Sequence, residues 1–193
     1  MNAEISDPSV ELSLVLKARA GDRNAFSLLI NSWNKRIYNY ALRYLSDHDE
    51  ASEVAQQVFI KAWKNISRLK NEEQFRSWLY VIAGNTCRDA GRARKRNPVV
   101  PLEADSLSIE ADASYMHPAK ALDVRETGKL LKEAMAKLPD EQKEVLIMKE
   151  YEGLKFTEIA VILDEPVNTV KSRLYYALKN MRKHLSHLEK EEI

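Results

Sequence analysis

The chain predicts an all-α fold: two small helical domains, of the kind that pair a helical bundle with a helix-turn-helix, joined by a flexible acidic linker. Three observations carry that reading. Apolar residues recur at spacings of three and four along most of the chain, and no convincing strand alternation or internal repeat interrupts them. Charge is segregated: residues 1–96 hold 16 Lys/Arg against 11 Asp/Glu, 97–126 hold 2 against 6, and 127–193 hold 12 against 12. The acidic middle carries Pro98, Pro101 and Pro118 with several serines and no sustained helical period, which is the composition of a linker. A structureless stretch of that length is unusual inside one compact domain, so the domains are placed at 8–96 and 127–188, with the linker at 97–126.

In the first domain a short leading helix falls around Leu12 to Ala20. Asp22 can then cap a long helix whose positions Phe26, Leu29, Ile30, Trp33, Ile37, Tyr40, Ala41 and Tyr44 share one face. Ala51, Val54, Ala55, Val58, Phe59, Ala62 and Trp63 repeat the pattern, as do Phe75, Trp78, Leu79, Ile82 and Ala83, with the polar loop "SRLKNEEQ" between them. Together these make a compact bundle.

In the second domain "TGKLLKEAMAKL" ends at Pro139, and "DEQKEVLIMKEYEG" forms the next helix. Asp140, Glu141 and Glu144 are expected to face solvent in its first turns, where acids complement the helix dipole. The segment "KFTEIAVILDEPVNTVKSRLYYALKNMRKHL" has the outline of a helix-turn-helix. Phe156, Ile159, Ala160 and Leu163 supply its first inner face, and Pro166 stands at the start of its second helix. There Val167, Val170, Leu174, Ala177 and Met181 share one side. Asn168, Ser172, Tyr175 and Lys179 point the opposite way, flanked by Thr169, Lys171 and Tyr176.

Composition excludes several classes. Of 193 residues, 45% are apolar and 31% charged, and no apolar run approaches the roughly 18–20 residues of a membrane span. The start "MNAEISDPSVELS" has no basic cap, apolar stretch or small-residue cleavage site, so a soluble, cytoplasmic protein is expected. Cys87 is the only cysteine, which excludes an internal disulfide and a multi-cysteine zinc site; a buried, inert thiol is expected. His184 and His187 stand one turn apart without a third ligand, so no metal is assigned, and no cofactor is implied. No phosphate-cradling glycine loop or nucleophile motif supports an enzyme.

Two stretches point to nucleic acid. Pro166 to Leu185 contains no acidic residue. A helix that buries one stripe and shows hydroxyl, amide and cationic groups on the other suits a major groove, where such groups read base edges and lysines neutralise phosphates. From Phe75 to Arg96 an aromatic-rich helix passes into a basic run, a combination suited to unstacked bases and a single-strand backbone. Packing accounts for Trp78, which leaves Asn85, Arg88, Asp89 and Arg92 as the contact candidates.

The order "EASEVAQQVFIKAW", "FRSWLYVIAGNTCRD", acidic linker, then "LPDEQKEVLIMKEYEGLKFTEIAVILDEPVNTVKSRLYYAL" resembles the extracytoplasmic-function sigma factors of bacteria, over nearly all of residues 10–187. The resemblance implies a subunit that binds core RNA polymerase, through its β′ clamp helices and β flap, and takes it to promoter DNA. By position it implies that Glu50, Glu53, Gln56 and Gln57 meet the clamp helices. It also implies that Ser67, Arg68, Lys70 and Asn71 belong to the loop that captures a flipped −10 base, beside Asn85, Arg88, Asp89 and Arg92. Asn168, Thr169, Lys171, Ser172, Arg173, Tyr175, Tyr176 and Lys179 are implied to read the −35 element. The linker acids Glu103, Asp105, Glu110 and Asp112 would act as a displaceable nucleic-acid mimic in the polymerase channels. An anti-sigma factor, membrane-anchored or soluble, is implied as regulator. The chain departs from the family at Gln57, where an acid is frequent, at Asp164 and Asn168, where glycine is frequent, and at Tyr176, near which a basic residue is usual. Gly91 departs as well, and a mid-helix glycine there is expected to fray the end of the basic helix. Two other readings remain open from the residues alone: a stand-alone helix-turn-helix regulator, dimeric on a palindrome, and a helical adaptor without a DNA role.

Overall fold

The computed structural model describes residues 7–96 and 118–191, with the backbone alone at 118–126 and 187–191. The described residues are helical with short connections. The first domain contains α1 (Pro8–Arg19), α2 (Arg23–Leu45), α3 (His48–Asn65) and α4 (Phe75–Arg96). Each of the first three begins at an aspartate. The Asp7 carboxylate accepts from the Ser9 amide, Asp22 from Asn24 and Ala25, and Asp47 from Glu50. Such caps satisfy amides that have no partner inside the helix, at about 1 kcal/mol each. α1 starts a turn earlier than the apolar spacing indicates because Pro8, at its first position, and the Asp7 cap fix the start.

The expected stripe of α2 is its buried face, and Trp33, Ile37, Tyr40, Ala41 and Tyr44 are almost fully enclosed. It packs on Val54, Ala55, Val58 and Ala62 of α3 and on Phe75, Leu79, Tyr80 and Ala83 of α4. Ring contacts join Trp33 to Phe75 and Tyr80 edge-on, at 6.1 and 6.0 Å, and Tyr40 to Tyr80 at 5.6 Å. Cys87 is buried in this core, and burial pushes its thiol far above the ordinary range, so it is unreactive. α4 runs unbroken through Gly91 to Arg96.

The second domain contains α5 (Pro118–Ala136), α6 (Asp140–Leu146), α7 (Phe156–Leu163) and α8 (Val167–Glu191), and α6 continues into a wide π-type turn at Ile147–Tyr151. α5 starts at Pro118, so residues 118–126 belong to a helix rather than to the linker expected across 97–126. The rest of that linker, with its acids Glu103, Asp105, Glu110 and Asp112, lies outside the described residues, as does the His187 side chain. Val170, Leu174, Ala177 and Met181 of α8 are buried as the spacing requires. On α7 the buried residues are Ile159 and Ile162, with Phe156, Ala160 and Leu163 half-buried beside them. The α7–α8 turn is closed by Asp164 in the left-handed region (φ 52°), where aspartate is tolerated and glycine is easier. Among the described residues no helix is long and apolar enough to cross a membrane.

Candidate nucleic-acid and polymerase interfaces

On α3, Glu53, Gln56 and Gln57 project from the face opposite the core and are exposed. The Gln57 amide donates to the Glu53 carboxylate at 3.1 Å, one turn away. Glu50 is drawn aside by Arg94 of α4 at 3.4 Å and is only partly exposed. Sequence reasoning missed Ile60, which is 54% exposed one turn beyond Gln56. An apolar side chain on a polar helical face is the signal that could have marked it, and it turns a hydrophilic stripe into a surface with a greasy centre.

The loop between α3 and α4 is pinned at Leu69, which is 5% exposed, while Ser67, Arg68, Lys70 and Asn71 around it are exposed. Asn71 also caps the following turn, accepting from the Glu73 amide at 3.0 Å, and Glu72 pairs with Arg19 of α1. These contacts hold the loop backbone while leaving its cationic side chains free. Along α4 the candidates are already paired with one another: Arg88 donates to Asn85 at 2.6 Å and Arg92 to Asp89 at 2.6 Å.

Arg88 has a further partner that local spacing could not show. Its Nη1 donates to both carboxylate oxygens of Glu144 in α6, at 2.6 and 2.5 Å, and the Tyr40 hydroxyl donates to the same carboxylate at 3.3 Å. Glu144 is 3% exposed, so the expectation that it faces solvent is incorrect. α6 is enclosed between α8 and the first domain and has no solvent side at that position. Burial pushes the Glu144 carboxyl above its ordinary value by more than Arg88 and Tyr40 pull it down. Burial also works against the charge on Arg88, but the Glu144 carboxylate holds that group above its ordinary value.

A second acid, Glu152, follows the π turn and reaches the same domain. It accepts from the Tyr80 hydroxyl at 2.6 Å, its carbonyl accepts from Arg76 at 2.8 Å, and Arg43 lies 3.9 Å away. Arg43 also stacks over the Tyr151 ring at 4.4 Å. Burial likewise raises the Glu152 carboxyl. Lys95 to Asp140 at 2.8 Å completes the contacts at the rim.

On α8 the acid-free face is largely open. Asn168, Lys171, Ser172 and Lys179 are exposed, and Tyr175 and Tyr176 are 63% and 51% exposed, their rings edge to face at 5.4 Å. Two bare tyrosines on a helix are costly in water and well suited to covering sugar and thymine methyl groups. Thr169 is half-buried and accepts at its carbonyl from the Ser172 hydroxyl. Arg173 differs from its neighbours: it is turned back onto Glu165 at 2.8 Å and Glu141 at 3.1 Å, which brace the helix-turn-helix.

The region 2 profile of the Sigma-70 family matches residues 29–97, and its region 4 profile matches residues 129–181. The RNA polymerase sigma-H factor of Pseudomonas aeruginosa is 33% identical over 188 residues, covering 92% of this chain and 95% of its own. The ECF RNA polymerase sigma factor SigW of Bacillus subtilis is 32% identical over 181 residues, covering 90% and 96%. Among solved structures, CnrH in complex with the cytosolic domain of CnrY superposes with a TM-score of 0.65 at 22% identity, covering 95% of this chain and 99% of that one. The sigma factor RpoE in complex with the anti-sigma factor NepR from Bartonella quintana gives 0.63 at 24% identity, covering 83% and 96%. Both share the two-domain helical fold. With two family regions in the expected order and relatives above 30% identity along nearly the whole chain, the stand-alone regulator and the adaptor fall away: the protein belongs to the extracytoplasmic-function sigma factors, alternative sigma subunits that direct bacterial RNA polymerase to promoters.

Proposed function

We propose that the two domains divide promoter recognition between them, the first gripping the polymerase clamp and the opened −10 strand and the second reading duplex −35 DNA. One observation carries this reading: α8 buries one stripe in its own domain and offers an acid-free face of amide, hydroxyl, lysine and two bare tyrosines. Asn168, Ser172, Tyr175 and Tyr176 read base edges and methyl groups there, while Lys171 and Lys179 neutralise phosphates. Thr169 sits at the edge of that face, and Arg173 serves by bracing the turn.

At the other end, Ser67, Arg68, Lys70 and Asn71 surround a base lifted from the stack, with Asn85, Arg88, Asp89 and Arg92 along its strand. Unstacking a base costs a few kcal/mol, which contacts in such a pocket offset at about 1–3 kcal/mol per base. Glu53, Gln56, Gln57 and Ile60 meet the clamp helices, with Glu50 at the margin. The nucleotidyl chemistry belongs to the polymerase, and the site of action is the cytoplasm. RpoE and CnrH were solved with partner proteins, NepR and the cytosolic domain of CnrY. By likeness, an anti-sigma factor regulates this chain too.

The test is to mix the purified chain with core polymerase and follow co-elution on size exclusion. Co-elution of the native chain, lost in a Glu53→Arg, Gln56→Ala variant of unchanged helicity, is the expected result. Equal co-elution of that variant would sink the assignment of α3.

A further inference from the structure

Two largely buried acids join the domains, inside the exposed rim pair of Lys95 and Asp140. Glu144 and Glu152 both come from the second domain, and both enter the cationic and phenolic surface of the first: Arg88 and Tyr40 for one, Arg43, Arg76 and Tyr80 for the other. Arg88 is committed by this arrangement. Its Nη1 serves both oxygens of Glu144 and its Nη2 serves Asn85, which leaves only Nε–H and one Nη2 hydrogen, on the wet side of the group, for a phosphate.

The first domain is also shaped to receive the acid. Gly84 lies on α4 one turn before Arg88, and a Cβ built on it would stand 2.5 Å from Glu144 Oε1. The next atoms, Tyr40 Oη at 3.4 Å and Arg88 Nη1 at 3.6 Å, are within or near ordinary contact. Mid-helix glycine weakens α4, and the space it leaves is used by a carboxylate of the other domain. The fit is incomplete elsewhere. Arg43 Nε and Arg76 Nε are buried without a partner among the described residues, which opposes closure and keeps it reversible.

We propose that Glu144 and Glu152 are an intramolecular competitor: in the free chain they seat on the −10 surface of the first domain, hold the domains closed, and must leave before Arg88 can engage the opened strand. The competition rests on the reading of Arg88 as a DNA contact. Closure itself does not. Because apparent affinity scales with the competent fraction, a chain closed nine times in ten binds about tenfold more weakly than an open one.

The experiment uses the full chain labelled at Ser52→Cys and Ser186→Cys for energy transfer. Both positions are exposed, and the native Cys87 is buried and inert. A fluorescent, short single-stranded DNA pool of randomised sequence is titrated in parallel. Two openings are compared: Glu144→Ala with Glu152→Ala, and Gly84→Ala, which removes no charge and favours α4 helicity. Arg88→Ala is then added to each. The expected result is a fall in transfer efficiency and an affinity gain of about tenfold when both acids are removed, a smaller change in the same direction in Gly84→Ala, where the end of the Glu144 side chain can shift, and loss of the gain when Arg88 is removed. Unchanged transfer in both openings would overturn the closure. Reduced transfer without an affinity gain would overturn the competition. In that second case, if Arg88→Ala also leaves affinity unmoved, the fault lies in the DNA role of Arg88; if it lowers affinity, Arg88 binds DNA but is not masked.

Discussion

Removing Arg88 and removing Glu144 are expected to have unequal effects, and the inequality follows from their exposure. The Glu144 side chain is 4% exposed and the Arg88 side chain 31%. Arg88→Ala leaves a buried carboxylate with only the Tyr40 hydroxyl at 3.3 Å. Breaking a buried pair in this way costs about 3–5 kcal/mol, and the wet edge of the guanidinium places this case near 3. Glu144→Ala leaves an arginine that can turn to water and keep Asn85, so its cost falls at the low end of the about 1.5–3 kcal/mol of a charged hydrogen bond. The protein can escape the larger penalty by undocking, which rehydrates Glu144. Arg88→Ala should therefore appear as separation of the domains rather than as loss of either fold. Trp33, Trp63 and Trp78 all belong to the first domain, so tryptophan fluorescence follows that domain alone, while far-UV dichroism follows both. In urea the two signals should coincide in the native chain and part in Arg88→Ala. The double variant should be no less stable than Arg88→Ala alone, since the stranded charge is gone. Additive losses in the double variant would show that the two residues are not coupled and that no charge is stranded by Arg88→Ala.

Three further outcomes are expected. Lys171→Ala and Lys179→Ala should each lower the log–log salt slope of −35 duplex binding by about one, measured by anisotropy against salt, with core binding untouched. Ile60→Glu should abolish co-elution with core polymerase while moving the unfolding midpoint little, because exposed substitutions usually stay within about 0.5 kcal/mol. Closure should strengthen on acidification. Burial raises the carboxyls of Glu144 and Glu152 in the closed state, so that state binds protons more tightly than the open one. The gain is complete below the ordinary carboxylate value and is lost as pH rises through the raised values. Energy transfer should therefore increase as pH is lowered from neutral toward the carboxylate range, and a decrease would contradict the sign.

The stripes of α2, α3 and α8 were legible because each helix buries one face within its own domain, and Asp22 was legible because a cap acts on the next three residues. What escaped was the joining of the domains. Glu144 looks like a first-turn surface acid because periodicity assigns charge outward, and its partner stands 56 residues away. Its neighbours held the missing signal: Val145, Leu146, Ile147 and Met148 are apolar on consecutive positions and all buried, the mark of a helix enclosed on every side. Arg88 was found as a candidate from composition, but composition could not show it already engaged. Asn168, Tyr175 and Lys179 emerged where expected because their stripe is the complement of a buried one. Arg173, one position from that face, turned back to Glu165 and Glu141 through contacts across the turn.

The hollow at Gly84 also sets the direction in which inheritance can move this protein. Almost any side chain placed there favours α4 while filling the seat of the carboxylate, and losses at Glu144 or Glu152 do the same from the other domain. Changes that tighten closure would have to build new complementarity, whereas changes that loosen it need only one methyl group or one missing acid. A random mutant library should therefore yield overactive promoter use more readily than deeper silence, with the overactive alleles falling in both halves of the chain.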